Sequence, residues 1–579
     1  MYENRIRKIQ EYLKEKNIDG YLLTICDDHG SEYIPSFYKS VAFLSGFTGS
    51  AGTLLILKEQ AFLWTDGRYF LQAAEELKKS KVTLKKIGVD ESIEEFIAIN
   101  VKKLACDFKT MKTSFILSLK KQCPYLKLID EDQLLHKLWK NRPKLSNSPV
   151  FIIPRDKTLM RAKDKWVKTI TKFKHNGDCG VIVTALDDIA YITNLRSCDI
   201  KYNPVLSSFL FIKKINNQLK CTIYIPQNKL NKELSDYLRQ EEIETKSYNQ
   251  IYEDIKNANF LIYYNADKTN YKLYNLMENK RNVVLYPTLR KAIKGKIEIS
   301  ESKKVHIKDG IAMCKFIYYL KKHINQYQMN EMSVSNYLAK LRKKQGAIEL
   351  SFTSIVGYLD HGAIVHYAPS YQSAYPIKNE GFLLVDSGAH YLYGTTDVTR
   401  TIAFKNITEE MKKHYTLVLK SHIALASAIF DLKTTDAQLD LIARKPLWDE
   451  NLDYNHGTGH GVGHLLNVHE GPQSIRYNKK NPVVMKKGMI TSNEPGLYFS
   501  GKYGIRLENE ILCVSKKNGM LGFETITYVP FDLDAIEVKM LTKQEKIWLN
   551  QYHQMVYQII APYLRKCEQN YLKYATREI

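Results

Sequence analysis

Residues 456–472 have the sequence HGTGHGVGHLLNVHEGP, a stretch rich in glycine and histidine. Glycines occupy alternate positions from Gly457 to Gly463, a pattern that permits close approach of the backbone to another group. Four of the chain's 15 histidines also lie here: His456, His460, His464 and His469. Histidine is the commonest metal-binding side chain and titrates near neutral pH. Two interpretations of the stretch are therefore open: a metal-binding or catalytic loop, or a glycine-rich turn with solvent-exposed histidines.

Length and composition indicate a globular chain of several domains. The 579 residues are 44% apolar and 11% aromatic, which predicts about three or four domains with their own cores. Nine scattered cysteines without a CxxC pair argue against a disulfide framework or zinc ribbon and favour reduced thiols. The charged N-terminus lacks a signal peptide's apolar segment, and no stretch is apolar enough to span a membrane. We therefore expect a soluble, cytoplasmic protein without a membrane partner.

The chain is basic, with a formal net charge of +23 and a pI near 9.3. Such a balance can indicate nucleic-acid binding. Here the positive charge is spread along the chain, and the densest short run, residues 78–86, has acids on both sides. The sequence has neither a phosphate-binding loop nor an RNA-binding aromatic strand. We therefore expect no nucleic-acid partner.

One α/β pattern occurs twice in the N-terminal half: a helix, an apolar strand and a pair of aspartates. The two copies comprise residues 3–16, 20–24 and 27–28, and then residues 162–175, 180–184 and 187–188. The polar segment 137–149 between them has the composition of a linker. Within the first copy, apolar runs at 41–57 and 61–70 predict a hairpin.

A different pattern begins near residue 300, where Ser300 and Ser302 are candidate helix caps. Long helices and short apolar strands follow. The helices are predicted near residues 303–324, 333–344, 409–430 and 543–564, and the strands within 360–369, 382–402, 488–498 and 503–514. His366 is expected near the end of the first of these strands. The chain is therefore predicted to be α/β (α+β), with domains at 1–142, 143–298 and 299–579.

Several acidic side chains stand in or beside the apolar strands of the third domain. They are Asp386, Asp397, Glu494, Glu508 and Glu510. Any one of them could be a salt-bridged structural residue, since buried carboxylates are rare unless paired or bound to metal. Two aspartates, two glutamates and one histidine provide enough ligands for two divalent cations that share bridging carboxylates. Hard oxygen ligands with one imidazole suit Mn²⁺, Co²⁺, Fe²⁺ or Zn²⁺.

The order of these motifs resembles the pita-bread metallopeptidases. The catalytic motifs are VDSG around Asp386, TTDVTR around Asp397, HGTGHGVG around His460, NVHEGP around His469, EPG at Glu494 and RLEN around Glu508. Within that family, the chain is similar to the long, three-domain cytosolic Xaa-Pro aminopeptidases (aminopeptidase P). Three N-terminal segments, residues 45–52, 64–72 and 183–190, extend the resemblance to two creatinase-like domains. The resemblance implies two creatinase-like domains followed by a pita-bread catalytic domain with a C-terminal extension.

The resemblance also implies a role for each matching residue. The dinuclear metal ligands would be Asp386, Asp397, His460, Glu494 and Glu508, usually for Mn²⁺ in this family, with Co²⁺ or Zn²⁺ as alternatives. Asp397 and Glu508 would bridge the two ions, and Glu494 would accept a proton from the attacking water. The substrate would contact His366, His456 and His469, with Arg68 reaching the site from the first domain. Arg506 would stand beside the metal cluster, and Glu510 lies outside the pattern, so we predict a structural role for it.

The implied reaction is hydrolysis of the N-terminal Xaa-Pro bond of a peptide by a hydroxide activated between two metals. Proline in the second position gives a tertiary amide without an N–H, which general aminopeptidases fail to cleave. The family further suggests a homodimer. Two departures concern the pocket: His464 replaces a small residue and is expected to face away, and Leu497 replaces an aromatic residue.

Three other functions stay open at this point. A prolidase would cleave only Xaa-Pro dipeptides, but the two N-terminal domains and the segment 64–70 argue against it. A non-catalytic peptide-binding protein would normally have lost metal ligands, whereas all five are present. A scaffold for nucleic acid would require a clustered positive face, which the sequence does not show.

Overall fold

Two N-terminal sheets have the same strand order and the same directions of pairing. The computed structural model describes residues 1–158 and 160–579, with only the backbone of Leu71. The described chain forms two compact units, residues 1–288 and 289–579. Both six-stranded sheets belong to the first unit.

The first sheet is built from residues 20–130. Its strands are β1 (Gly20–Thr24), β2 (Thr53–Leu57), β3 (Ala61–Thr65), β4 (Thr83–Lys86), β5 (Lys103–Cys106) and β6 (Lys127–Asp130), in the order β4-β3-β2-β1-β5-β6. The helices are α1 (Tyr2–Glu15), α2 (Ser40–Ser45), α3 (Phe70–Glu76), α4 (Ile93–Asn100), α5 (Thr113–Gln122) and α6 (Leu134–Leu138). Ile6, Ile9 and Leu13 form the buried face of α1, as their helical spacing predicts.

The second sheet repeats the first. It contains β8 (Cys179–Val183), β10 (Phe209–Ile215), β11 (Gln218–Ile225), β12 (Ile243–Ser247), β13 (Leu261–Tyr264) and β14 (Lys280–Asn282), while β7 (Val150–Ile152) pairs with β9 (Leu195–Ser197). The order β12-β11-β10-β8-β13-β14 matches the first sheet strand for strand, with antiparallel pairs in the middle and parallel outer pairs. The helices are α7 (Ala162–Thr171), α8 (Leu186–Thr193), α9 (Lys232–Gln240), α10 (Gln250–Lys256) and α11 (Tyr271–Leu276). The predicted duplication is thereby confirmed.

The second unit combines long helices with one six-stranded sheet and four smaller sheets among the described residues. After α12 (Tyr286–Lys291), its helices are α13 (Lys296–His323), α14 (Glu331–Lys344), α15 (Glu409–Ala426), α16 (Asp436–Trp448), α17 (Lys543–Ile560) and α18 (Lys566–Ala575). Its strands are β15 (Met329–Asn330), β16 (Ala347–Leu350), β17 (Ile355–Tyr358), β18 (Pro376–Ile377), β19 (Phe382–Ser387), β20 (Ala389–Tyr391), β21 (Gly394–Thr395), β22 (Val398–Ala403), β23 (Ile429–Phe430), β24 (Gly459–Gly461), β25 (Glu470–Ile475), β26 (Ile490–Asn493), β27 (Gly496–Phe499), β28 (Tyr503–Arg506), β29 (Asn509–Ser515) and β30 (Leu521–Thr525). The sheets that matter for the site are β17-β19-β22 and β23-β30-β29-β26-β24-β25.

Two local predictions for this unit are wrong. The first long helix begins at Lys296 rather than Lys303, because Gly295 is its N-cap and donates its N–H to the Glu298 carboxylate at 2.7 Å. The segment 360–369 forms no strand: it continues a 3₁₀ helix, Leu359–Ala363, into a turn that contains His366. The helices α16 and α18 were not predicted.

A membrane-crossing helix is not found in the part of the chain that the structure describes, since each helix there is too short or too polar.

A buried histidine on α17 predicts a pH dependence of stability. His553 is fully buried and accepts a hydrogen bond from the Phe531 N–H at 3.1 Å. Burial, with a contribution from the nearby Arg400 charge, lowers the pKa of His553 to about 3. Between this value and an unfolded-state pKa near 6.5, the unfolded chain binds the additional proton, so the contribution of His553 to stability is lost as the pH falls through this range.

We therefore expect His553→Gln to reduce the pH dependence of stability. Between pH 7.5 and 5.5, the free energy of unfolding should fall by about 1.4 kcal/mol less in the variant than in the wild type. Urea denaturation at the two pH values measures this difference. His323→Gln, at a partly exposed position on α13, is the control. Equal pH dependence of His553→Gln and the wild type would contradict the prediction.

Candidate metal centre

Neighbouring strands of the second unit bring the five predicted metal ligands together. Asp386 lies on β19, Asp397 immediately precedes β22, His460 is the middle residue of β24, Glu494 immediately follows β26, and Glu508 immediately precedes β29. In one sheet β19 pairs with β22, and in the other β26 pairs with both β24 and β29. The ligands are therefore far apart in sequence but adjacent across strand pairs.

The ligand atoms of this cluster form three overlapping groups, and the atoms within each group lie within 4.8 Å of one another. The groups are Asp386–Asp397–Glu508, His460–Glu494–Glu508 and Asp397–His460–His469. His460 Nε2 is 3.5 Å from both Asp397 Oδ2 and Glu494 Oε1. All five predicted ligands thus converge on one place, and His469 joins them.

Two glycines permit this convergence. A Cβ at Gly388, between β19 and β20, would lie 1.9 Å from the Thr396 carbonyl oxygen, and a Cβ at Gly459 would lie 2.0 Å from the Ser492 carbonyl oxygen. Neither distance is possible for a residue with a side chain. The alternate glycines of the 456–472 stretch therefore serve close packing of the backbone, which places His460 beside Glu494.

The cluster concentrates negative charge in a buried place. Burial raises the pKa of Glu494 to about 7 and that of Glu508 well above its usual range, and neighbouring carboxylates add to both effects. Burial also raises the pKa of Asp386, against the effect of Arg506. For His460, burial alone would lower the pKa, but Asp397 and Glu494 raise it to about 10. The side chains of the cluster therefore favour additional positive charge.

The donor atoms fit divalent cations. Asp386 Oδ1 is buried and has no hydrogen-bond partner among the described residues, whereas Oδ2 accepts from Arg506 Nη2 at 2.6 Å. His460 Nδ1 lies 2.9 Å from the Gly461 carbonyl, which can only accept, so this nitrogen donates and Nε2 faces the carboxylates. Carboxylate oxygens with one imidazole suit hard or borderline divalent ions such as Mn²⁺, Co²⁺ and Zn²⁺.

Three further residues contact the predicted ligands, and this role was not predicted for any of them from the sequence. Thr399 Oγ1 donates to Glu508 Oε2 at 2.6 Å, Ser492 Oγ donates to Glu494 Oε1 at 3.2 Å, and Glu510 Oε1 accepts from the Asp397 N–H at 2.8 Å. Each lies two residues from a predicted ligand: Asp397, Glu494 and Glu508, respectively. The two-residue period of a β-strand was the available signal, since it places both side chains on one face.

Arg506 connects the cluster to the predicted substrate residues. Its guanidinium contacts Asp386, donates from Nη1 to the Tyr498 hydroxyl at 2.7 Å, and lies 3.4 Å from the Val365 carbonyl. The last contact places the turn of His366 beside Arg506. The Tyr498 hydroxyl in turn contacts His456 Nε2 at 2.8 Å.

His456 is held in one tautomer. Its Nδ1 lies 2.8 Å from the Gly457 carbonyl and must donate to it, so Nε2 accepts from Tyr498. Burial and the Arg506 charge lower the pKa of His456 to about 3, which keeps the ring neutral. His469 packs edge-on against His460, with ring centroids 4.5 Å apart.

Three other residues singled out in the sequence have contacts of their own. Arg68, in the first unit, forms a two-point ion pair with Asp66 at 2.9 and 2.8 Å, so its reach to the metal centre stays a prediction. His464 Nδ1 is 3.2 Å from Ser302 Oγ on α13. Leu497 is buried in the hydrophobic core of the second unit.

Fold and site together define a class, the dinuclear metallohydrolases of the pita-bread type. Models of the creatinase/prolidase N-terminal domain match residues 5–138 and 141–298, a model of metallopeptidase family M24 matches residues 300–515, and one of the C-terminal region of peptidase M24 matches residues 519–579. The chain belongs to the Xaa-Pro aminopeptidase P family of M24 metallopeptidases. The predicted fold class is thereby confirmed.

Relatives match over nearly the whole chain. A probable Xaa-Pro aminopeptidase P from Coprinopsis cinerea is 33% identical over 99% of this chain and 97% of its own. Aminopeptidase P1 from Arabidopsis thaliana is 32% identical, with 97% of each chain covered. The crystal structure of X-prolyl aminopeptidase from Caenorhabditis elegans, described as a cytosolic enzyme with a di-nuclear active site, has a TM-score of 0.93 and 29% identity, and the match covers 100% of this chain and 99% of that chain.

Proposed function

We propose that this protein is a metalloaminopeptidase that hydrolyses the N-terminal Xaa-Pro bond of peptides and releases the first residue when proline is second. The observation that supports this most directly is the overlap of the ligand groups: Asp397, His460 and Glu508 each belong to two groups. Overlapping groups of ligand atoms would suit a site that holds two metal ions. The proposed substrate class, peptides with an N-terminal Xaa-Pro bond, comes from the names of the relatives.

The proposed cofactors are two divalent metal ions per subunit, with Mn²⁺ as the proposed ion and Co²⁺ or Zn²⁺ as alternatives. Asp386, Asp397, His460, Glu494 and Glu508 would hold them. When bound, such a pair lowers the pKa of water and polarises the scissile carbonyl.

The chain's own residues would supply the positioning and the proton transfers. Glu494, whose Oε1 is 3.5 Å from His460 Nε2, would take a proton from the attacking water and return it to the leaving proline nitrogen. His366 and His469 would donate hydrogen bonds to the carbonyl oxygen as negative charge develops on it. The neutral ring of His456, with Tyr498 and Arg506, would border the pocket on the proline side. Arg68 would contact the substrate from the first domain.

We also propose a division of the chain into three domains, residues 1–142, 143–298 and 299–579. The protein would act in the cytoplasm, as the name of the Caenorhabditis elegans enzyme says of that protein. It would form a homodimer, without a nucleic-acid or membrane partner.

Cleavage of three peptides by Mn²⁺-loaded protein tests the function. We expect release of the first residue from an Xaa-Pro-Xaa tripeptide, with little cleavage of the Xaa-Pro dipeptide or of Xaa-Ala-Xaa, and loss of cleavage after treatment with a chelator. Chromatography of the products measures all three reactions. Cleavage of the dipeptide alone would identify a prolidase instead. No cleavage by protein that binds two metals would favour a peptide-binding role.

A further inference from the structure

A buried polar chain links helix α13 to the backbone of a predicted metal ligand. Glu510, on β29, is 1% exposed, and its Oε1 accepts from the Asp397 N–H at 2.8 Å. Its Oε2 is 3.2 Å from Nε2 of His306, which is 2% exposed. His306 Nδ1 is 2.8 Å from the Ser302 carbonyl, one turn earlier on α13.

His306 and Glu510 form a buried pair of titratable side chains. Because the Ser302 carbonyl can only accept, His306 Nδ1 carries a hydrogen. The other ring nitrogen, Nε2, is at ion-pair distance from Glu510 Oε2. Each partner therefore needs the other, since a lone carboxylate or imidazolium would be costly to bury there.

Strand β29 and the residue that precedes it direct two glutamates at Asp397. Glu508 and Glu510 are two residues apart and share one face. The Glu508 carboxylate groups with the Asp386 and Asp397 carboxylates, whereas the Glu510 carboxylate accepts from the Asp397 backbone. One side chain therefore shares the metal site with Asp397, and the other fixes the backbone from which the Asp397 carboxylate extends.

The same chain extends to the histidine-rich stretch. Ser302 Oγ is 3.2 Å from His464 Nδ1, and His464 stands between His460 and His469 in the sequence. His464 is a position where this sequence departs from the pattern of the family it resembles, and Glu510 lies outside that pattern. The structure places both residues on one series of contacts through α13.

We propose that Glu510 is a positioning residue of the metal centre: it fixes the backbone of Asp397, and His306 holds Glu510 in place. This inference rests on the proposed function, since it assumes that the cluster binds two cations. Residues that orient metal ligands typically change metal affinity by about 10–100-fold when they are replaced. Glu510 acts through Asp397 and touches no substrate.

Three variants test this role. Glu510→Gln keeps an acceptor for the Asp397 N–H and a donor for His306, so we expect Mn²⁺ affinity within about threefold of the wild type. Glu510→Leu removes both contacts and should weaken at least one Mn²⁺ by about 10–100-fold. His306→Asn leaves Glu510 present but shortens its partner, and an intermediate loss is expected.

The readouts are titration calorimetry with Mn²⁺, the electron paramagnetic resonance spectrum of the loaded protein, and the melting temperature of the metal-free protein. We expect Glu510→Gln to retain the Mn²⁺ affinity and the spectrum of two coupled Mn²⁺ ions. Glu510→Leu is expected to lose both. If Glu510→Leu does not fold, the Mn²⁺ affinities and spectra of His306→Asn and Glu510→Gln are compared instead, and weaker binding is expected in His306→Asn.

Two outcomes overturn different claims. If Glu510→Leu binds Mn²⁺ with wild-type affinity and has the wild-type spectrum, the role of Glu510 is refuted and the proposed function is not affected. If Glu510→Leu does not fold, the same result in His306→Asn refutes the role. A wild-type protein that binds no Mn²⁺ and cleaves no Xaa-Pro-Xaa peptide would refute the proposed function, and this inference with it.

Discussion

Asp397→Asn is expected to reduce Xaa-Pro-Xaa hydrolysis by at least about 1,000-fold, more than the 10–100-fold loss typical of residues outside the ligand set. Asp397 is 4% exposed, and its carboxylate belongs to two of the three ligand groups. Asparagine keeps the size of the side chain and one oxygen, but it replaces the second oxygen with an amino group that cannot bind a cation. The change removes charge and a ligand atom with little change in volume.

Peptide hydrolysis and the metal content of the purified protein should change together. We expect fewer than two Mn²⁺ per chain in Asp397→Asn, with a wild-type far-ultraviolet circular dichroism spectrum. Asp449→Asn is the control, because Asp449 is exposed and, among the described residues, pairs with Lys445 in the last turn of α16. Full activity of Asp397→Asn would refute the assignment of Asp397 as a ligand and, with it, the dinuclear mechanism.

The four acidic candidate ligands could be recognised in the sequence because each stands in or beside an apolar strand, whereas the resemblance to the family added His460 to them and left Glu510 out. An acid after four apolar residues, as at Asp386, is expensive to bury without a partner, so its chemistry is visible without coordinates. The duplicated N-terminal pattern was visible for a similar reason. Helix α1 and strand β1 are local structures whose apolar spacing determines them.

The turn around His366 could not be predicted because a distant contact determines it. The apolar run after Gly362 resembles a strand, yet the backbone of Gly362 packs against Gly504, where a Cβ would lie 1.8 Å from the Gly362 carbonyl oxygen. These two residues are 142 positions apart. This contact overrides the strand propensity of the segment, so His366 lies in a turn instead of a strand.

The residues that hold the ligands were missed for another reason. Thr399, Ser492 and Glu510 are small or seemingly structural in sequence, and their partners are known only once strand pairing is known. The start of α13 at Gly295 is different, since Glu298 three residues later is a local capping signal that the sequence contained.

Arg506→Met is expected to lower the free energy of unfolding of the metal-free protein by about 3–5 kcal/mol and activity by up to about 100-fold. Arg506 is 2% exposed and donates to Asp386 and Tyr498 at 2.6 and 2.7 Å. Methionine fills similar space but leaves the Asp386 carboxylate buried without its cation. It also frees the Tyr498 hydroxyl that contacts His456.

Arg506→Lys separates charge from geometry. A single ammonium keeps the positive charge beside Asp386, but it cannot reach Asp386 and Tyr498 with the fork of a guanidinium. We therefore expect most of the stability and only part of the activity to return, with the remaining loss in KM if His456 borders the proline side of the pocket. Urea denaturation and peptide kinetics measure the two effects, and Arg239→Met, at an exposed position, is the control. Wild-type stability and activity in Arg506→Met would show that Asp386 does not depend on this arginine.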